Sequence, residues 1–255
     1  MTSDALTLTV LGSATPYPAP GNPCSGYLLS AGGTRVWVDA GTGTLAELRR
    51  HVRLDELDAI WISHLHADHT ADLLTAYYGA LYADVRLAAP IPLHGPSGIA
   101  DRLAGFLTNS SVRSPIESAF AVEELHDGHV ARVGEIVLTS RAVSHGLPAF
   151  ALRAEAAGRT LVYSGDCAPC PPLTELADGC DLLLCEADSA DPVEGDERVH
   201  HTATEAGDTA RAARAGRLLV THVGPSLTPA EAVAHAATRY DGPIAHAAPG
   251  SVHTV

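Results

Sequence analysis

The run His64-Leu65-His66-Ala67-Asp68-His69 sets three imidazoles and a carboxylate into six positions. These donor types suit zinc and its neighbours. If the chain stays extended from Ser63 to His66, His64 and His66 point the same way, because side-chain direction repeats every two residues. Asp68 and His69 then fall where the chain turns into a helix, where they can face a second metal. The plain alternative is a polar loop with chance histidines, and the density of donors argues against it. One hexapeptide cannot complete two coordination shells, so other donors must follow. Three stand in similar settings: His145 ends Ala142-Val143-Ser144, Asp166 follows Leu161-Val162-Tyr163-Ser164-Gly165, and His222 follows Leu218-Leu219-Val220-Thr221. Each closes an apolar run, and rigid strand ends are where scaffolds present such groups.

Short elements must position these residues. Ala59–Ser63 reads as a strand that delivers the histidine run, and Asp68–Tyr82 reads as the helix after it. Leu6–Leu11 is strand-like, while Tyr27–Ser30 and Arg35–Asp39 flank Gly32-Gly33 as a hairpin. Ile136–Ser144, Ala149–Ala154 and Arg159–Ser164 read as neighbouring strands, and Leu182–Cys185 and Arg217–Thr221 as further ones. Leu45–Val52, Thr204–Ala215 and Pro229–Tyr240 read as helices. Together they predict sheets covered by helices, an α/β layered sandwich. Ser97–Phe120 is ambiguous, a candidate cap near the site.

The bulk composition agrees. At 255 residues, with 46% apolar and 18% charged content, the chain can bury a sizeable core. No repeat or Pro/Gly-rich linker divides it, so 1–255 is expected to be one domain. No apolar run approaches the roughly eighteen residues of a membrane span. The start, Met1-Thr2-Ser3-Asp4-Ala5-Leu6, lacks a basic region followed by an apolar one, so a cytoplasmic protein is expected. Five cysteines, an odd number, point to reduced thiols rather than a disulfide framework. Cys167-Ala168-Pro169-Cys170 follows Asp166 instead of opening a βα unit, and reads as a structural loop. A net charge of -14, with every basic residue an arginine, argues against an extended nucleic-acid surface. It leaves room for an anionic substrate, since bound cations make a site locally positive. His51, His94, His126, His129, His201, His235, His246 and His253 stand outside any motif and read as surface or packing residues.

The donor pattern resembles the metallo-β-lactamase superfamily, from Leu8–Gly12 to His222. That resemblance implies a four-layer αβ/βα sandwich with a dinuclear site in a groove. It implies that His64, His66 and His145 hold one divalent metal, that Asp68, His69 and His222 hold the other, and that Asp166 bridges them. Zinc is expected, with manganese or iron as alternatives. Finer motifs resemble the ribonuclease Z-like branch: Cys185-Glu186-Ala187, His200-His201-Thr202-Ala203-Thr204-Glu205-Ala206 with His201 in a serine position, and Gly12-Ser13-Ala14-Thr15-Pro16 through Asn22-Pro23-Cys24-Ser25. The resemblance pairs His200 with Glu186 as a leaving-group acid or phosphate clamp. It counts Asp68 among the catalytic groups, and Asp39 as a support of the histidine run. Relatives are often dimers, so a homodimer is an expectation.

The expected reaction is hydrolysis by a metal-bridging hydroxide, which suits both phosphoryl and acyl targets. His200 with Glu186 tilts it toward phosphodiesters. Ribonuclease Z proper carries a long tRNA-gripping arm between the positions of His145 and Asp166, and here only twenty residues intervene. A small phosphodiester such as a 3′,5′-cyclic nucleotide is therefore the first expectation. The alternatives are tRNA 3′ processing, a lactone, thioester or ester hydrolase on the same metals, and a non-catalytic metal-binding module.

Overall fold

The computed structural model describes residues 5–83, 86–191 and 198–255. The opening Met1-Thr2-Ser3-Asp4, read above as lacking a leader, lies outside them. One sheet is built from β1 (Thr7–Gly12), β2 (Gly26–Ala31), β3 (Thr34–Ala40), β4 (Ala59–Trp61), β5 (Ile91–Gly95), β6 (Phe120–Glu124) and β14 (Val252–Thr254), in the order β14-β1-β2-β3-β4-β5-β6. The other holds β7 (Val130–Val133), β8 (Ile136–Val143), β9 (Ala149–Ala156), β10 (Arg159–Tyr163), β11 (Leu182–Ala187), β12 (Leu218–Val223) and β13 (Ile244–His246), in the order β13-β12-β11-β10-β9-β8-β7.

The sequence alternates because each central strand has two apolar faces to cover. In β3, Val36 and Val38 join the core between the sheets, and Trp37 turns outward to another. In β11, Leu182 and Leu184 point inward, Leu183 and Cys185 outward. The outward face of the first sheet is covered by α1 (Thr44–Leu48), α3 (Asp72–Tyr82) and α4 (Ile99–Leu107). That of the second is covered by α5 (Pro171–Leu176), α6 (Ala203–Ala212) and α7 (Pro229–Ala236). The result is the four-layer αβ/βα sandwich.

Several element bounds differ from the expectation. The helix expected over Asp68–Tyr82 is two segments, α2 (Ala67–Thr70) and α3, with the helical torsions of Ala71 between them. The helix expected to reach Ala215 ends at Ala212, and Arg214 follows with a φ of 52°. Ser97–Phe120 contains α4, packed on the first sheet. Among the described residues no helix is long and apolar enough to cross a membrane. All five cysteines are free.

Candidate metal centre

The expected donors meet where strands end. His64 and His66 follow β4, His145 follows β8, Asp166 follows β10, and His222 closes β12. His64 Nε2 lies 3.0 Å from His66 Nδ1, and His145 Nε2 lies 3.2 Å from that same atom. Beside this trio, His69 Nε2 sits 3.3 Å from both Asp68 Oδ2 and Asp166 Oδ2. His222 Nε2 approaches the same oxygens, at 3.4 and 3.3 Å. Asp166 Oδ2 is also 3.7 Å from His64 Nε2, so one carboxylate touches both groups.

Hydrogen bonding on the far side of the His145 and His69 rings fixes their orientation. His145 Nδ1 lies 2.8 Å from the Val199 carbonyl, which can only accept, so Nδ1 carries the hydrogen and Nε2 presents a lone pair. His69 Nδ1 likewise donates to Asp39 Oδ2 at 2.7 Å; burial works to lower this imidazole, but the Asp166 and Asp39 carboxylates hold it well above its usual range, so a cation at Nε2 displaces a proton. His69 Nε2 and Asp166 Oδ1 are buried without a hydrogen-bond partner. Unpartnered buried polar atoms are costly, and such a pair in one pocket fits a cation that ties them together. Burial holds the His64 imidazole well below its usual range, which keeps it neutral and able to donate a lone pair. Burial works to raise the Asp166 carboxyl, but His222 and His69 hold it well below the usual carboxylate range. Neutral imidazoles and ionised carboxylates are the forms that bind divalent metals.

Asp39, at the end of β3, organises the histidine run from below. Its Oδ1 accepts the Ser63 backbone N–H at 2.7 Å. Its Oδ2 accepts Ser63 Oγ–H at 2.8 Å, His69 Nδ1–H at 2.7 Å and the Tyr163 hydroxyl at 2.8 Å. Burial pushes Tyr163 well above the usual phenol range, so its hydroxyl stays a donor. Asp39 and His222 hold positive φ angles, 53° and 46°, a strain that non-glycine residues adopt only where the surroundings impose it. Gly41 lets the run come close, because a Cβ there would strike the Asp68 carbonyl.

His200 lies beside the cluster, partly exposed, its ring stacked on His222 with centroids 5.6 Å apart. Its Nδ1 is 2.8 Å from Glu186 Oε2. Glu186 is fully buried in β11, and its other oxygen accepts the Cys167 N–H at 2.5 Å. The Cys-x-x-Cys segment is thus a loop that steadies Glu186. Burial pushes Glu186 up to about 7, with the His200 hydrogen bond working against it. Burial works to lower His200, and the hydrogen bond and charge of Glu186 override it, pushing the imidazole up to about 9. The direction of the His200 shift favours its protonated form.

Sequence reasoning passed over Ser63 and Tyr163, whose shared partner Asp39 is distant in the chain, and the Val199 carbonyl, equally distant from His145. It also read His201 as a surface or packing residue. His201 is fully buried, with Nδ1 2.6 Å from the Cys167 carbonyl and Nε2 3.1 Å from Thr209 Oγ1. Tyr78 and Phe106 are exposed while Tyr77 is buried, and Phe106 lines a cavity of about 470 Å³ with Leu65, Ala67, Arg102 and Leu103.

The comparisons with known proteins agree with this geometry. Residues 34–223 match the family described as the beta-lactamase superfamily domain. An uncharacterized protein of Mycobacterium leprae is 34% identical over 242 residues, covering 93% of this chain and 84% of that one. Ribonuclease Z of Mycolicibacterium gilvum is 30% identical over 269 residues, covering 93% and 92%. The metallo-beta-lactamase fold protein YhfI of Bacillus subtilis superposes with a TM-score of 0.87 at 25% identity, covering 99% and 100%. With this fold, this donor set and these relatives, the chain belongs to the metallo-β-lactamase superfamily of metal-dependent hydrolases.

Proposed function

We propose that this protein is a dinuclear-metal-dependent phosphodiesterase for small phosphodiesters, 3′,5′-cyclic nucleotides first among them. The observation that carries the reading is the Glu186–His200 pair, 2.8 Å apart and set against the donor cluster. In this reading His64, His66 and His145 hold one metal, Asp68, His69 and His222 the other, and Asp166 spans both. Bound there, two divalent ions, zinc foremost and manganese or iron as alternatives, supply Lewis acidity toward water and phosphoryl oxygens.

The chain's own groups do the rest. Glu186 fixes the His200 ring and keeps it protonated, so that Nε2–H is free to donate to the leaving oxygen. Asp68, set beside His69 and His222, would accept a hydrogen bond from the attacking water. A cyclic ester fits a pocket whose neighbouring cavity combines apolar walls with a single cation, Arg102. Substrate size is argued from the stretch between His145 and Asp166, which is spent on the β9–β10 hairpin rather than on an arm. A net charge of -14 without lysine also weighs against the cationic contacts on which tRNA affinity leans. The second reading, tRNA 3′ processing, is favoured by the ribonuclease Z relative.

A substrate panel run on metal-loaded protein decides. Turnover of cyclic nucleotides, lost in His200→Ala with metal retained, is the expected result. Turnover of pre-tRNA alone selects the second reading. Activity confined to lactones or thioesters overturns both.

A further inference from the structure

Away from the centre, His94, Glu123 and His129 bring three donor atoms within 4.8 Å of one another. The proposed reaction uses none of them. β5 and β6 pair in parallel with His94 opposite Glu123, and His94 Nδ1 lies 3.3 Å from Glu123 Oε2. His129 directly precedes β7, with Nε2 3.7 Å from Glu123 Oε1. Its backbone is fixed at both groups, the N–H donating to the His126 carbonyl at 3.0 Å and the carbonyl accepting from Ser140 N–H at 2.9 Å. Since β6 and β7 are the last strands of their sheets, the trio spans the seam where the two sheets meet.

The two imidazoles are built in rather than solvated. His94 and His129 are only 6% and 7% exposed, yet His94 Nδ1 and His129 Nε2 have no hydrogen-bond partner. Both bare atoms turn toward the Glu123 carboxylate. Donors about 2.0–2.1 Å from a tetrahedral zinc stand about 3.3–3.4 Å from one another. The His94–Glu123 spacing already matches this. Glu123 is mostly exposed, and its side chain is free to close the wider gap to His129. A cavity of about 480 Å³ lined by Pro92, His94, Glu123 and Val133 leaves a fourth position open to water.

The geometry points to a further metal site, in which His94, Glu123 and His129 take one zinc-type divalent cation at the seam of the sandwich. The ion would cross-link β6 to β7 and close the edge of the fold, a structural role separate from catalysis.

The test is calorimetric titration of metal-stripped full-length protein with Zn²⁺, comparing wild type, Glu123→Gln and His129→Gln. The expected result is one equivalent lost, or weakened about tenfold or more, in both variants, with the other equivalents unchanged. That difference holds however many ions the catalytic centre takes. Zinc should also raise the melting temperature of wild type more than that of either variant. Glu123→Gln changes an exposed side chain and guards against a folding artefact in His129→Gln, and circular dichroism of the metal-free proteins checks it. Equal stoichiometry and equal affinities in all three proteins would overturn the proposal, leaving the trio as an ordinary polar cluster.

Discussion

Replacing Asp39 with Asn tests how the histidine run is held. The carboxylate accepts four hydrogen bonds in a fully buried setting, one at Oδ1 and three at Oδ2. An amide has one acceptor oxygen. With that oxygen in the Oδ2 place, the NH₂ group faces the Ser63 N–H. One donor is then orphaned, at about 1–3 kcal/mol, and three bonds weaken from charged to neutral acceptors, at about 1 kcal/mol each. The opposite orientation strands three donors and is worse. Allowing for relaxation, metal-free protein should lose about 3–5 kcal/mol in urea unfolding. Asn tolerates the positive φ of 53° here, so the loss reports on the carboxylate rather than the backbone. His69 Nδ1–H also loses its charged anchor, and zinc affinity measured against a competing chelator should fall about 10- to 100-fold. Unfolding within about 1 kcal/mol of wild type together with unchanged zinc affinity would refute the role given to Asp39.

Other outcomes follow from the same geometry. His200→Ala should lower kcat by about 10²- to 10⁴-fold while metal analysis finds the full complement bound; undiminished turnover removes His200 from the reaction. His201 is pulled down to about 4 from the usual 6.5 by burial, so it stays neutral in the fold and binds a proton on unfolding. Its contribution is complete above pH 6.5, declines as pH falls and levels off below about 4, a change of about 3 kcal/mol. In His201→Gln the urea midpoint should therefore depend less on pH between 4 and 6.5 than in wild type, and parallel curves would contradict the assignment. Gly41→Ala should cost about 1–3 kcal/mol and weaken metal binding, because the new methyl meets the Asp68 carbonyl. A variant with wild-type melting temperature and zinc affinity would show that the loop yields freely.

The donor set was legible because its residues announce themselves locally. The histidine run is dense, and His145, Asp166 and His222 each end an apolar strand. What sequence could not show was the second ring of contacts. Ser63, Tyr163 and the Val199 carbonyl each satisfy a neighbour through the fold, and nothing in their spacing signals it. The His94, Glu123 and His129 trio was hidden for the same reason, since it forms only when two sheet edges meet. Among the elements, β5 carries Pro92, and β13 and β14 are three residues each, too short for an alternating pattern to stand out. Helix ends are hard to read where an alanine-rich sequence keeps its propensity past the turn that stops it, as at Arg214.

If the cluster around Asp166 works as the proposed metal-dependent phosphodiesterase centre, its turnover depends on added metal. Chelator-treated protein should be titrated with Zn²⁺ or Mn²⁺ while hydrolysis of bis-p-nitrophenyl phosphate is followed, with Asp68→Ala alongside. The expected result is no turnover without metal, a rise to a plateau as metal is added, and little or no recovery in Asp68→Ala. Turnover that survives chelation, or full metal loading without any turnover, would contradict it.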